Sequence, residues 1–230
     1  MFEERREEMS LKKNLDVVVF EQLREKVIRG EWTPGQAISI DELVTEYGVS
    51  RTPILQALRR MEAVRMVEIT ITGHFMVPKF TKKQVEDLTV IRALLEQEAL
   101  ETIQKNRVPI DLTEVRKQAE LCAVYNKAGD YVEARKADLR YHLLLTEAAD
   151  NRYLADIYER IQAQFMVANY LITSHIPEKE QIAAEDHGRI LDALEAGDYE
   201  AARERIHAHI YGARDKMIAR IEQMDLLSDA

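Results

Sequence analysis

The stretch from Asp41 to Val77 constrains the fold of this chain more than any other part of the sequence. Within it, Leu43, Val44 and Tyr47 have the spacing of one buried helix face. Gly48 follows at once, and glycine readily takes the left-handed conformation in which many helices end. The stretch is therefore predicted to begin with a short helix that is closed by a tight glycine turn.

A second helix is predicted directly after this turn. Ser50 is placed to cap it, and Pro53 fits its first turn, where no backbone donor is lost. Its apolar residues share one face, and no acidic residue lies between Arg51 and Met61. Two helices joined by a glycine turn, the second of them basic and polar, are typical of a DNA-reading helix-turn-helix. The candidate DNA contacts on it are Ser50, Arg51, Thr52, Gln56, Arg59 and Arg60.

Two short β-prone runs, 66–72 and 74–77, follow this helix and are joined through Gly73. They predict the hairpin of a winged helix, with Gly73 and His74 at a polar tip that would contact DNA. A helix over 14–29 and a short strand over 37–39 are predicted ahead of the helix-turn-helix. The alternative is a winged helix that is used only for protein contacts.

The composition and the net charge limit the classes of protein to which this chain can belong. Hydrophobic residues make up 46% of the 230 residues and charged residues 32%, which is typical of a soluble, helix-rich protein. The net charge of -9 is unevenly spread, since residues 1–80 carry -1 and residues 81–230 carry -8. Because local patches set phosphate contacts, this acidic balance does not exclude DNA binding by the first part.

Cellular location is predicted from three further features. The mixed-charge N-terminus does not look like a signal peptide. The longest uncharged run, 161–177, is too short and too polar to span a bilayer. A single cysteine, Cys122, suits a reducing compartment. We therefore expect a cytoplasmic protein with no membrane partner.

Beyond the wing, the sequence predicts only helices, over 83–105, 111–128, 130–149, 152–174, 178–196 and 199–222. Their short connections predict an all-α, antiparallel six-helix bundle. The expected fold is therefore mostly α, with an N-terminal winged helix-turn-helix of mixed α/β structure. The expected domains are 1–78 for the winged helix, 79–82 for a linker and 83–230 for the bundle.

Polar residues occupy the apolar faces of three predicted bundle helices. Asp138 and His142 lie four residues apart on one helix, and His187 and His209 lie on two later ones. One carboxylate and three neutral imidazoles suit a divalent ion such as zinc, nickel or manganese, with positions left for another ligand. The alternatives are histidines satisfied within a helical core and a solvated pair of aspartate and histidine.

Arg92 is a second candidate in the bundle. It lies on the apolar face of the first bundle helix, where an unpaired charge is costly. A guanidinium there could hold the carboxylate of a small effector through two parallel hydrogen bonds. The alternative is an ordinary salt bridge with Glu96, four residues later. Asn169, a polar residue in the apolar run 165–172, is a further candidate effector contact.

Three motifs in the first part resemble those of the GntR-family winged-helix regulators. They are Gly30-Glu31-Trp32-Thr33-Pro34-Gly35, Gly48-Val49-Ser50-Arg51-Thr52-Pro53 and Ala57-Leu58-Arg59-Arg60. The resemblance spans residues 14–78 and implies a DNA-binding transcriptional regulator.

The second part resembles the helical FCD ligand-binding domain of FadR-type members, and its six-helix length is closer to the VanR-like branch. In metal-binding members, an aspartate and a histidine four apart on one helix and single histidines on two later helices form the site. Asp138, His142, His187 and His209 occupy the matching positions. By the same resemblance, Arg92 matches the arginine that contacts the effector.

Two positions depart from the family pattern. Many members have an arginine where this chain has Leu55, and often another where it has Asp41. Leu55 cannot hydrogen-bond guanine or phosphate, and Asp41 would repel a phosphate. The loss of a bidentate arginine is worth about 1–3 kcal/mol at a base. We therefore expect a different operator sequence, weaker binding, or compensation by Gln56.

The first functional hypothesis is a ligand-responsive repressor that acts as a homodimer. Its two winged helices would bind the half-sites of a near-palindromic double-stranded DNA operator. Its bundles would bind a divalent metal and a small organic acid, and the acid would shift the two DNA-binding heads. Repression is implied by the resemblance alone. The alternatives are a metal-dependent hydrolase fused to a DNA-binding module, and a DNA-binding regulator whose metal is purely structural.

Overall fold

The computed structural model describes residues 15–27, 29–106, 111–173 and 184–228. Contacts among them define two compact units. The first comprises the described residues up to Phe80 together with 167–173, and the second comprises the remaining residues from Thr81 onward.

The first unit is a winged helix-turn-helix. Helix α1 covers residues 15–27, α2 covers Ile40–Tyr47 and α3 covers Arg51–Ala63. The predicted glycine turn is present, because Gly48 has a φ of 62° and its N–H donates to the carbonyl of Val44. Helix α3 begins three residues after this glycine, which gives the tight helix-turn-helix that the sequence predicts.

The capping of α3 differs from the prediction. Ser50 is its N-cap residue by position, but the side chain makes no capping hydrogen bond, so that part of the prediction is wrong. The hydroxyl is exposed on an extended residue (φ -67°, ψ 163°), where water can supply the hydrogen bonds that the helix would otherwise offer. Helix α2, by contrast, is capped by Ser39, whose Oγ accepts from the N–H of Glu42 at 3.2 Å.

The wing is a two-stranded antiparallel hairpin, shorter than the predicted runs. Strand β1 is Glu68–Ile69 and strand β2 is Phe75–Met76. Gly73 has a φ of 83° in the connecting turn, which accounts for the choice of glycine there. The predicted strand over 37–39 is reduced to one bridge, between Ala37 and Met76.

The described residues beyond Phe80 form six helices, which confirms the mostly α fold, and residues 167–173 at the end of the fourth of them are those grouped with the first unit. They are α4 Lys82–Asn106, α5 Thr113–Ala128, α6 Tyr131–Glu147, α7 Arg152–Thr173, α8 Ala184–Glu195 and α9 Tyr199–Ser228. Residues 178–183 of the predicted fifth bundle helix lie outside the described part. The last helix extends six residues beyond its predicted end at 222.

Packing within the bundle brings five helices around one interior region. Helix α4 packs on α9 and α6, helix α5 packs on α6 and α8, and α8 packs on α9. Tyr141, Leu145, Ile190 and Ile206 belong to the apolar core that these helices share. The polar residues discussed below lie on the same inward faces of α4, α6, α8 and α9. None of the helices in the described part is long and apolar enough to cross a membrane.

Candidate metal centre and DNA-reading surface

Four side chains from three helices converge inside the bundle. Asp138 and His142 come from α6, His187 from α8 and His209 from α9, and one ligand atom of each lies within 4.8 Å of the others. The Nε2 of His209 lies 3.2 Å from the Nε2 of His142 and 3.3 Å from that of His187. The four predicted metal ligands are therefore neighbours in the structure.

The carboxylate of Asp138 completes this cluster. Its Oδ1 lies 3.2 Å from the Nε2 of His187 and 3.7 Å from the Nε2 of His142. Two nitrogens that each lie ~2.0–2.1 Å from a tetrahedral ion are about 3.3–3.4 Å apart, which is close to the separations between the imidazoles here. These imidazole separations suit one small cation, and all four ligand atoms lie within 4.8 Å of one another.

Burial keeps the imidazoles of His142 and His187 in the neutral form that binds metal. Burial is the main influence on His142, and it lowers the pKa of this residue to about 4 although Glu96 opposes the change. Burial also lowers the pKa of His187. Burial alone would raise the pKa of Asp138, but a hydrogen bond from His187 and the nearby imidazoles lower it instead. Neutral histidines beside an ionised aspartate are a metal-binding combination.

Glu96 is a participant that the sequence presented only as a possible salt-bridge partner. It lies on α4, is 1% exposed, and its Oε2 accepts from the Nδ1–H of His142 at 2.8 Å. Because an ionised carboxylate can only accept, this hydrogen bond places the ring proton of His142 on Nδ1. The Nε2 of His142 then points its lone pair at the cluster. A carboxylate behind a metal-binding histidine is a common second layer of a metal site.

The other oxygen of Glu96 is also fully engaged. Its Oε1 accepts from the Nε of Arg92 at 2.7 Å and from the hydroxyl of Tyr158 at 2.8 Å. Burial would raise the pKa of Glu96, but the charges and hydrogen bonds of His142 and Arg92 lower it to about 2. Glu96 is therefore a buried, ionised carboxylate that links a candidate metal ligand to a buried arginine.

The salt bridge that was the alternative for Arg92 is present. The Nε of Arg92 contacts Glu96, and its guanidinium lies 4.4 Å from the ring centre of Phe165. The side chain is 4% exposed, and its pKa is raised because Glu96 outweighs the cost of burial. Among the described residues, Glu96 is its only hydrogen-bond partner, so an effector contact through the two Nη groups stays a prediction. Asn169 is half-buried on α7, and its role as an effector contact also stays a prediction.

Tyr141 fixes the ring planes of the cluster. Its ring stacks on His187 with centroids 4.2 Å apart and meets the edge of His142 at 4.9 Å. Its hydroxyl donates to the carbonyl of His187 at 3.4 Å. In the sequence Tyr141 was only one of the apolar residues on the face of His142, and no local signal pointed to this contact with α8.

The predicted DNA contacts form an exposed surface on the first unit. Ser50, Arg51, Thr52, Gln56, Arg59, Arg60, Gly73 and His74 are all exposed. Two of the arginines nevertheless have acidic partners from other helices. Arg51 pairs with Asp41 of α2, and Arg60 pairs with Asp16 of α1 at 3.3 Å. The absence of acidic residues between Arg51 and Met61 therefore did not indicate free arginines.

The wing and α3 contact each other through one cation–aromatic pair. The guanidinium carbon of Arg59 lies 5.5 Å from the ring centre of Phe75 on β2. Because Phe75 is buried and Arg59 is exposed, the arginine stem is oriented by the wing while its charge stays in solvent. This arrangement suits contact with a phosphate backbone.

Comparison with known proteins assigns the chain to a family. A model described as "FCD domain" matches residues 87–212, more than half of the chain, and one described as "Bacterial regulatory proteins, gntR family" matches residues 15–73. The chain belongs to the GntR family. It is a transcriptional regulator with a DNA-binding helix-turn-helix and an FCD domain, and the family and its relatives are regulators, not enzymes.

Similar proteins agree with this assignment. The chain is 29% identical over 192 residues to an uncharacterised HTH-type transcriptional regulator of Bacillus subtilis, YdhC, covering 83% of this chain and 85% of that protein. It is 28% identical over 185 residues to a probable D-xylose utilization operon transcriptional repressor of Paenarthrobacter nicotinovorans, covering 80% of each. The fold matches that of McbR/YncC of Escherichia coli with a TM-score of 0.77 at 22% identity, over 90% of this chain and 98% of that chain.

Proposed function

We propose that this GntR-family regulator is a repressor whose FCD domain binds one divalent metal ion and a small carboxylate effector. The observation that carries the proposal is the convergence of three Nε2 atoms and one carboxylate oxygen within 4.8 Å. The Nε2 of His142 offers a lone pair, and one divalent cation among these four donors would satisfy the ring nitrogens and the carboxylate together. The proposal therefore follows from the chemistry of the donor set.

The donor set narrows the choice of metal. Imidazole nitrogen with a single carboxylate suits zinc, nickel or manganese better than calcium or magnesium, which prefer ligands that are all oxygen. Four protein ligands leave further coordination positions in a five- or six-coordinate ion. Such an ion, when bound, supplies a Lewis-acidic point to which a carboxylate or hydroxyl of an organic acid can attach.

The effector is proposed to be a small hydroxy acid or sugar acid. Arg92 lies behind the cluster with its Nε on Glu96, and its Nη groups offer the parallel donors that a carboxylate accepts. Asn169 is proposed as a weaker contact. An effector that binds one conformation of the protein more tightly than another shifts the protein towards that conformation. Effector binding would therefore change the affinity of the protein for its operator.

Dimerisation is part of the proposal because a near-palindromic operator needs two reading heads. Helix α4 exposes three neighbouring apolar side chains, Val90, Ile91 and Leu94, which are 44%, 42% and 56% exposed. An apolar helix face of this kind is typical of a protein interface. We therefore propose that this face contacts a second copy of the chain, and that the dimer acts in the cytoplasm on double-stranded DNA.

The first experiment is a metal analysis of the purified protein and of an Asp138→Ala/His209→Ala variant. The parent is expected to carry about one divalent ion per chain, and the variant none. His207→Ala is the matched control, because His207 is exposed on the same helix, stacks on Tyr211 and lies outside the cluster. If the parent binds no zinc, nickel or manganese under saturating conditions, the metal site is wrong.

A melting-temperature screen against organic acids then tests the effector. A true effector is expected to stabilise the metal-loaded parent, because a ligand that binds only the folded state raises its stability. The same acid should leave the melting temperature of the Asp138→Ala/His209→Ala variant unchanged. It should alter the binding of the parent protein to operator DNA in a gel shift. If chelation lowers the melting temperature but no acid changes operator binding, the metal is structural, which is the second candidate function.

A further inference from the structure

We propose that Glu96 is the positioning residue that sets the metal affinity of the cluster, and that Arg92 competes with His142 for its negative charge. This inference rests on the proposed metal site and names a means of regulating it. The affinity of the site for metal then depends on whether the charge of Arg92 acts on Glu96 alone or is shared with an incoming anion.

The geometry behind the proposal is a single carboxylate shared between two hydrogen-bond donors, the imidazole of His142 and the guanidinium of Arg92. The Oε2 of Glu96 accepts from the Nδ1–H of His142 at 2.8 Å, and the Oε1 accepts from Arg92 at 2.7 Å. All three side chains are at least 95% buried, so solvent cannot screen one contact from the other. Because the two donors share one carboxylate charge, a cation that draws this charge towards one oxygen leaves less of it at the other oxygen.

The three histidines differ in what supports them. Among the described residues, the Nδ1 of His187 and the Nδ1 of His209 have no hydrogen-bond partner, and the nearest carboxylate oxygen to the latter is 3.8 Å away on Asp186. Among the described residues, His142 is thus the histidine of the cluster whose Nδ1–H, on the side of the ring facing away from the cluster, donates to a carboxylate. Such a bond fixes the tautomer and ring orientation and makes the imidazole a better ligand. Support of the metal is therefore concentrated in the Glu96–His142 pair.

A regulatory consequence follows from this sharing. When an anion accepts the hydrogen bonds of Arg92, less of the arginine charge acts on Glu96. The carboxylate then holds the Nδ1–H of His142 more strongly, and His142 becomes more basic at Nε2. Anion binding at Arg92 and metal binding at the cluster should therefore strengthen each other, because coupling between two sites is reciprocal.

The test compares three substitutions in the full-length protein, using metal alone as the probe. Glu96→Gln keeps the size of the side chain and removes its charge. Arg92→Met keeps much of the packing on Phe165 and removes the competitor. Tyr158→Phe is the matched control, because it removes one neutral hydrogen bond to Glu96 and leaves the carboxylate, Arg92 and His142 in place. Zinc affinity is measured by competition with a chromophoric chelator, and the visible spectrum of the cobalt-loaded protein reports the ligand field.

The two charge variants should change zinc affinity in opposite directions. Glu96→Gln is expected to weaken zinc binding about 10–100-fold, as loss of such a supporting carboxylate does elsewhere, and to shift the cobalt spectrum. Arg92→Met is expected to tighten zinc binding, because the whole carboxylate charge then acts on His142. Tyr158→Phe should stay close to the parent. A purely structural salt bridge would instead weaken metal binding when either partner is removed.

The outcomes separate this inference from the proposed function. If the parent binds no zinc, the proposed metal site fails. If the parent binds zinc and Glu96→Gln stays within about threefold of it, the role of Glu96 is overturned while the site survives. If Arg92→Met equals the parent or is weaker, the competition is overturned. Should Glu96→Gln not fold because Arg92 is left unpaired, the Glu96→Gln/Arg92→Met variant replaces it and is expected to show the same loss.

Discussion

His142 is fully buried, and this burial decides which protonation state the candidate metal centre adopts. The imidazole cannot be hydrated when charged, so its pKa is lowered to about 4, although Glu96 favours the charged form. Above that pH, the Nδ1–H is held by Glu96 and the Nε2 lone pair faces His187, His209 and Asp138. One residue thus joins the metal cluster to the buried charge pair behind it.

The metal-free protein should lose stability in mild acid because of this residue. In the unfolded chain His142 has its ordinary pKa of 6.5, so the unfolded state binds a proton between pH 6.5 and 4 while the folded state does not. The contribution of neutral His142 to the free energy of unfolding is therefore fully present above pH 6.5. It is lost as the pH falls from 6.5 towards 4. The expected loss is on the order of 3 kcal/mol, since each pKa unit is worth about 1.4 kcal/mol.

Urea unfolding in the presence of a chelator, between pH 7 and pH 4, measures this loss. A His142→Gln variant lacks the titrating group and should show a flatter dependence over the same range. Glu96 adds its own dependence only below its ordinary pKa of 4.5, because its folded pKa is about 2. If parent and variant lose stability in parallel, His142 is not held neutral by the fold.

Sequence reasoning singled out the four residues that meet in the cluster, but not Glu96, which supports one of them. Asp138 and His142 are four apart on one helix, and a histidine on an apolar helix face is visible from periodicity alone. The bond from His142 to Glu96 joins residues 46 positions apart, and it depends on how α4 packs on α6. Local spacing predicted only the partner of Glu96 within its own helix, Arg92. Contacts between elements are set by packing, which no short motif encodes.

At the scale of the element, Gly48 and Gly212 show how one residue type serves opposite purposes. Gly48 ends α2 with a φ of 62°, whereas Gly212 lies within α9. An added Cβ would meet nothing within 4 Å at either position. Any effect of alanine there must therefore come from the backbone and not from a clash.

Alanine should destabilise the protein at one glycine and stabilise it at the other. Gly48→Ala is expected to cost about 1–2 kcal/mol, because an L-residue is strained in the left-handed region. Gly212→Ala is expected to gain about 0.5–1 kcal/mol, because glycine weakens a helix interior. Each effect is measured by chemical denaturation of the single variant. If both substitutions change the free energy of unfolding in the same direction, this account of the α2–α3 turn is contradicted.

The pairing of Asp41 with Arg51 changes the expectation for the DNA-reading element. From sequence, Asp41 was expected to repel a phosphate directly. In the structure, it also holds the first residue of α3, with side chains that are 84% and 57% exposed. An exposed pair of this kind adds little to stability, but it withdraws one cation from the surface that contacts phosphates.

Asp41→Ala should therefore bind duplex DNA more tightly than the parent, with almost unchanged thermal stability. Releasing Arg51 for a phosphate contact is expected to steepen the dependence of log affinity on log salt by about one unit. Fluorescence anisotropy with a labelled duplex over a salt series measures both quantities. Glu42→Ala is the matched control, since Glu42 has the same charge in the same turn of α2. If the two variants behave alike, the loss of one negative charge from α2 explains the effect, and the Asp41–Arg51 pair does not.

At the scale of the whole molecule, the proposed function depends on two copies acting together. Val90, Ile91 and Leu94 form the exposed apolar face of α4, and Leu94 is the most exposed of the three at 56%. Val124 on α5 is also exposed, at 61%, but no other large apolar side chain on the described residues of that helix is exposed. A cluster is what an interface needs, whereas single exposed apolar residues are normal on a protein surface.

Leu94→Arg should convert the proposed dimer into a monomer, because a buried interface does not accept an unpaired charge. Val124→Arg adds the same charge at a site of similar exposure and should leave the parent assembly intact. Sedimentation velocity distinguishes the two states, and binding to duplexes with one or two half-sites reports the consequence. The Leu94→Arg protein should bind one half-site as the parent does and should lose the gain that a second half-site provides. If Leu94→Arg remains dimeric, the chains associate through a different surface, and the exposed face of α4 needs another partner.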